Sequence, residues 1–299
     1  MRSTEEWRSA SFRRSSSSGA STPRVWVVLL AMFLIGLAFA RFVRNQGSSP
    51  GPSAAGGRQG GAAVNPIDRA LAAPSGLQPR AGPPSTGPDC WRAGVALAVL
   101  LDTSGSMGDS VKGEGGRMQP KIVIARQCLR SLIAQAEAAA REQPDRRIVA
   151  GIYEFSGRER QESCRVVMPM GPPKAAAAEA AVGRIMPEGN TPIGDAMIFA
   201  KGQLDRAGLS RRHLLVITDG ENNHGYALPD VVAALSRLPE EQRPATYFIA
   251  FDTATAKFGP VRDAGGLVLS AANAAELQQT LDYVLKGKIL AEQPEPPRK

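Results

Sequence analysis

The chain has 299 residues, a formal net charge of +8, a pI of about 9.7 and only 5% aromatic residues. Such a basic balance can serve nucleic acid or anionic lipid. No basic stripe interleaved with aromatics occurs beyond the N-terminal region, so the composition argues against nucleic-acid binding.

Met1 to Arg24 is rich in Ser and Arg and reads as a disordered tail. The first 44 residues carry Arg2, Arg8, Arg13, Arg14, Arg24, Arg41 and Arg44 against only Glu5 and Glu6, so the positive excess gathers around one apolar segment. That segment runs from Val25 to Ala40 without a charge. As a helix it covers about 24 Å, and about 28 Å when carried through Val43 with Arg41 snorkelling. Residues 25–43 therefore read as a single transmembrane signal-anchor helix. The basic N-terminal flank places that end in the cytoplasm and the rest of the chain outside it, in the periplasm or an equivalent space, although Arg41 and Arg44 oppose this. A cleaved signal peptide is the alternative, because Ala38-Phe39-Ala40 has the pattern of a cleavage site. In that case the remainder is secreted.

Residues 44–89 are rich in Gly, Pro, Ser and Ala and read as a flexible tether. Its root-mean-square reach is about 35–40 Å. From Cys90 to Ile289 the composition becomes that of a folded domain, followed by a Pro-rich charged tail over 290–299.

Within the domain, Val95 to Leu101 predicts a strand and Lys121 to Arg141 a helix. Arg147 to Phe155 and Cys164 to Met168 predict strands joined by a charged turn, which makes the second an antiparallel edge. Lys174 to Ile185 and Pro192 to Ala207 predict helices, His213 to Thr218 a strand, Pro229 to Leu238 a helix, and Thr246 to Phe251 a strand. Thr255 to Val261 reads as a short helix or turn, Leu267 to Ser270 as a strand, and Ala272 to Leu285 as the closing helix. Strands with nearly continuous apolar runs, alternating with helices, indicate an α/β fold: a doubly wound, mostly parallel sheet covered on both faces. The stretch Met107 to Pro120, with four glycines, reads as a long loose loop.

Ligands of such sheets bind outside the carboxyl ends of the strands. Three polar segments fall there: Asp102-Thr103-Ser104-Gly105-Ser106, Asn190-Thr191-Pro192-Ile193-Gly194-Asp195, and Thr218-Asp219-Gly220. Each has an ordinary structural reading alone. Asp102 to Ser106 suits a polar turn, Thr191-Pro192 suits a helix start, and Asp219-Gly220 suits a turn. Together they put carboxylates and hydroxyls, the oxygen donors that hard cations prefer, on one rim.

These three segments resemble the metal-ion-dependent adhesion site of von Willebrand factor A domains, and the resemblance covers Cys90 to Ile289. It implies a Rossmann-like fold and a site for Mg2+, or alternatively Mn2+ or Ca2+. It implies that Ser104 and Ser106 ligate the ion directly, that Thr191 does so directly or through water, and that Asp102 and Asp219 act largely through water and hydrogen bonds. An ion held so stays electrophilic and accepts an Asp or Glu from a protein partner as its last ligand. Met107, Asn190, Glu221, Asn222 and His224 would line the rim around that partner.

A membrane-tethered binding module, without enzymatic activity or a small-molecule substrate, follows as the expectation. A metal-indifferent assembly role, in an envelope complex or beside an AAA+ ATPase, is the main alternative. A haloacid dehalogenase-type phosphohydrolase is disfavoured because Ser104 stands where the second acid of its motif is required. With two histidines in the chain and no Gly-X-Ser-X-Gly, a serine hydrolase is disfavoured too.

The chain holds three cysteines. Cys128 shares a helical face with Ile122, Ala125, Leu129, Leu132, Ile133 and Ala136, which assigns it to the core. Cys90 and Cys164 are then the candidate disulfide, with three buried reduced thiols an equally good alternative.

Overall fold

Val95 to Leu101 are each 1% exposed or less. A strand so buried needs cover on both faces and a neighbour on both edges, and this strand has all four. The computed structural model describes residues 65–72, 92–157 and 162–292. The helix α1 (Pro66–Ala72) comes first, and β1 (Arg92–Asp102) follows. Then come a hairpin of β2 (Ser110–Lys112) and β3 (Met118–Pro120), and the long helix α2 (Lys121–Glu142). Next are β4 (Ile148–Phe155), β5 (Cys164–Gly171), α3 (Ala175–Val182), α4 (Ile193–Ala207) and β6 (Leu209–Thr218). The chain continues through α5 (Leu228–Ser236), β7 (Ala245–Phe251), α6 (Gly259–Asp263), β8 (Leu267–Ala271) and α7 (Ala274–Val284). A π-helical turn, Leu285–Ile289, extends α7.

The six-stranded sheet has the order β5-β4-β1-β6-β7-β8. All pairings are parallel except β4 with β5, so β5 is the single antiparallel strand at one edge. The α/β expectation and its antiparallel edge are both met. Alternation along β1 divides the core in two. Val95, Leu97, Val99 and Leu101 join α2, α3 and α7 through residues such as Leu129, Val182 and Leu281. Ala96, Ala98 and Leu100 join α4 and α5 through Met197, Leu204 and Val231. Helix α4 stops where Gly208 adopts φ 61°, a left-handed C-terminal residue that glycine accepts without strain.

Several boundaries differ from expectation. Strands β1 and β6 begin earlier, at Arg92 and Leu209, and α3 ends at Val182. The stretch Met107 to Pro120 is not a loose loop. It holds the β2–β3 hairpin, with Val111 buried in the core.

The segment 44–89 is not a tether throughout, either. Helix α1 lies within it, capped by Asn65, whose Oδ1 accepts from Ile67 N at 2.9 Å. Ile67 and Leu71, one turn apart, are buried against α4 and α5, and Asp68 meets Arg237 at 3.0 Å. At the other end, Arg146 binds the carbonyls of Ile289, Leu290 and Glu292, so the ordered chain passes beyond Ile289.

Among the described residues no helix is long and apolar enough to cross a membrane. The N-terminal tail, the anchor at 25–43, the remainder of the tether, Cys90 and residues 293–299 lie outside the described residues.

Candidate metal centre

The carboxyl ends of β1 and β6 are adjacent, and their last residues lock together. Asp102 is fully buried. Its Oδ1 accepts from Ser104 N at 2.8 Å and its Oδ2 from Thr218 Oγ1 at 2.6 Å. Burial pushes its carboxyl up to about 7, against these hydrogen bonds, with the Asp219 charge adding to the rise. A cation at the rim would favour the ionised form.

After Asp102 the chain makes a tight 3-10 turn, Gly105–Gly108. Thr103 points back and donates to Phe155 O at 3.1 Å. Met107 is wholly buried in the core, which leaves Ser106 facing outward. Ser104 Oγ and Ser106 Oγ lie 3.2 Å apart, and Ser106 Oγ donates to Asp219 Oδ1 at 2.8 Å.

The third segment is pinned from two sides. Asn190 and Gly157 exchange backbone hydrogen bonds of 2.9 and 2.8 Å, and Gly105 N donates to Gly189 O at 3.0 Å. Thr191 N donates to Asn223 Oδ1 at 2.7 Å and Gly194 N to Asn222 Oδ1 at 2.9 Å, so side chains following Asp219 pin the approach to α4 and satisfy one orphan donor of its first turn. A methyl on Gly220 would sit 3.4 Å from Thr191 Oγ1. The buried Thr191 hydroxyl therefore lies beside the residue that follows Asp219.

The structure thus links Asp102, Ser104, Ser106 and Asp219 directly or through Thr218, and sets Thr191 beside Gly220, the residue after Asp219. Among the described residues no three His, Cys, Asp or Glu side chains form a group that could hold a metal ion, so hydroxyls must supply part of any ligand set. Their spacing fits one: neighbouring ligands of an octahedral Mg2+ at about 2.1 Å lie about 3 Å apart. The Ser104–Ser106 oxygen separation of 3.2 Å matches such an edge.

Of the expected rim residues, Met107 is a correction, because its side chain packs inward and reaches no partner. Asn222 is half-buried and caps α4 rather than standing free. Asn190, Glu221 and His224 are exposed; Glu221 sits 3.5 Å from Lys257 Nζ, and the His224 ring lies against Gly157. The suggested disulfide partner Cys90 lies outside the described residues, and Cys164 carries a thiol buried beside Phe155 on β4. Its low-dielectric surroundings push that thiol up.

Sequence reasoning assigned no role to Thr218 and missed Lys121 and Asp252. The Lys121 ammonium, almost buried, bridges Asp219 Oδ2 at 3.0 Å and Asp252 Oδ2 at 3.1 Å. Burial pulls its pKa down, but the two carboxylates outweigh that and hold it above the usual lysine value. Asp252 directly follows β7, so the strand-end rule that singled out Asp102 and Asp219 applies to it equally.

Residues 96–263 match the model of the von Willebrand factor type A domain. No curated protein matches the chain significantly. Among solved structures, the PilB minor pilin from Streptococcus sanguinis aligns with a TM-score of 0.53 at 14% identity, over 70% of this chain and 63% of its own. A von Willebrand factor type A protein from Catenulispora acidiphila aligns with 0.52 at 18% identity, over 67% and 44%. The conserved hypothetical protein BatB from Bacteroides thetaiotaomicron aligns with 0.50 at 17% identity, over 67% and 100%. At such identities the likeness is one of fold, and the chain spans less than two thirds of the pilin and less than half of the Catenulispora protein. With more than half of its 299 residues matched, on the sheet that carries this rim, the chain belongs to the von Willebrand factor type A domain family.

Proposed function

We propose that the domain binds Mg2+, or Mn2+ or Ca2+ in its place, and uses the ion to capture an acidic side chain of a protein partner. Ser104 and Ser106 hold the ion through their hydroxyls, Thr191 directly or through water. Asp102 and Asp219 orient the hydroxyls and waters around it. The observation that carries this reading is the run of close oxygens from Ser104 through Ser106 to Asp219, from segments more than 100 residues apart in sequence. Domains of this family commonly serve protein–protein interaction or adhesion. In this reading the module is not an enzyme. A helix over 25–43 tethers it to the cell membrane, with the domain on the extracytoplasmic side.

The test is calorimetry with Mg2+, followed by partner capture from solubilised membranes with and without EDTA. Mg2+ binding that Ser104→Ala and Asp102→Ala abolish, with partner capture lost in EDTA, supports the proposal. Capture unaffected by EDTA and by both substitutions would shift the reading to docking through another surface.

A further inference from the structure

A cation built into a cation site calls for a physical account. Lys121 opens α2 directly after the β2–β3 hairpin, and its ammonium lies between Asp219 and Asp252. The Lys121 and Asp219 side chains are 8% and 0% exposed. Both oxygens of Asp219 are engaged, Oδ1 by the Ser106 hydroxyl and Oδ2 by the ammonium. Asp252 reaches the ammonium from a backbone at φ 53°, a left-handed conformation that non-glycine residues seldom adopt. Strain of this kind persists only where the surroundings impose it, and it gathers at functional sites.

Without the ammonium, Asp102, Asp219 and Asp252 would leave three carboxylates near one rim. A divalent ion placed there would draw one or two of them into direct contact. Ligand charge governs affinity, so such an ion would be held tightly. It would also be nearly neutralised, with fewer waters to exchange for an incoming carboxylate.

We propose that Lys121 holds Asp219 and Asp252 off the ion, keeping its coordination open to water, and hence to a partner's carboxylate, at the expense of cation affinity. This inference rests on the metal-dependent reading above and assigns Lys121 as a positioning residue within it. The ion is then bound mainly by neutral hydroxyls and keeps most of its charge for the partner.

The test uses the full-length chain with Mg2+ calorimetry and water-proton relaxation of the Mn2+-loaded form, which reports waters bound to the ion. Lys121→Gln is expected to bind Mg2+ at least tenfold more tightly and to lower the relaxivity as a carboxylate displaces water. Lys121→Arg, which keeps the charge, is expected to stay within about threefold of the wild type. Asp252→Asn, tested with Lys121 intact, is expected to leave relaxivity unchanged, because Asp252 is already held away; this arm stands even where Lys121→Gln does not fold. If the wild-type chain binds neither ion, the metal-dependent reading itself fails. If it binds them but Lys121→Gln binds no tighter at equal relaxivity, or Asp252→Asn gains a bound water, the role of Lys121 is overturned and the metal site stands.

Discussion

Thr218 Oγ1 donates to Asp102 Oδ2 over 2.6 Å, joining the last residues of two adjacent strands beneath the rim. The same hydroxyl accepts from Gly220 N at 3.2 Å, so one side chain fixes both Asp102 and the turn after Asp219. A hydrogen bond to a charged group contributes about 1.5–3 kcal/mol. Thr218→Val keeps the shape and removes the donor. Mg2+ affinity should fall about 10- to 100-fold by calorimetry, while Thr218→Ser stays near wild type. Equal affinity in all three chains would separate Asp102 from the ion.

The sheet was legible because β1, β4, β6 and β7 are buried on both faces and so appear as unbroken apolar runs. The site was legible as far as its donors sit at strand ends with little other use, as Asp102, Ser104 and Ser106 do. Lys121 was not, because a lysine opening a helix after a glycine-rich stretch ordinarily faces water. Its meaning depends on Asp219 and Asp252, which lie about 100 and 130 residues further on. Met107 was misplaced because adjacency to a site in sequence says nothing of direction: the 3-10 turn rotates it inward. The hairpin escaped because strands of three residues carry no measurable alternation.

Helix α1 escaped for a similar reason, since Ile67 and Leu71 alone make too short a stripe to distinguish from a linker. Their burial against α4 and α5 nonetheless implies a real contribution to stability. Fully burying a Leu or Ile side chain contributes about 1.5–3 kcal/mol. Leu71→Asp should therefore lower the stability of the full chain by roughly 2 kcal/mol in urea titration. It should also open the segment around residues 65–72 to limited proteolysis. A variant with unchanged stability and unchanged cleavage would show that α1 docks too weakly to matter.

Met107 supports the serine turn from below. It is 0% exposed and packs in the same core as Val111 and Ile122. Truncating a buried Met to Ala costs about 2–5 kcal/mol, whereas exchange for Leu costs less than about 1.5 kcal/mol. Met107→Ala should melt earlier and also bind Mg2+ more weakly, because the turn that aims Ser106 loses its anchor. Met107→Leu should retain both properties, as judged by thermal melting and calorimetry. A Met107→Ala chain of full stability would contradict the packing described here.

The middle of β6 carries a group with acid sensitivity. His213 is 1% exposed, its Nδ1 is 3.3 Å from Tyr247 Oη, and its Nε2 is 3.7 Å from Glu292 Oε2. Burial lowers its pKa to about 3, and the Arg211 and Arg146 charges add to the drop. Glu292 alone does not reverse this. Above about pH 6.5 the imidazole is neutral in both native and unfolded chains, and stability is complete. Between about 6.5 and 3 the unfolded chain binds a proton that the native one refuses, so stability falls as pH falls. The slope reaches about 1.4 kcal/mol per pH unit for one such group. Urea titrations at pH 7.5, 5.5 and 4.5 should show this loss in the wild type. His213→Gln, which cannot titrate, should flatten the curve by about 1 kcal/mol per unit while the general acid loss from carboxylates remains. Parallel curves for the two chains would mean that His213 accepts its proton inside the fold.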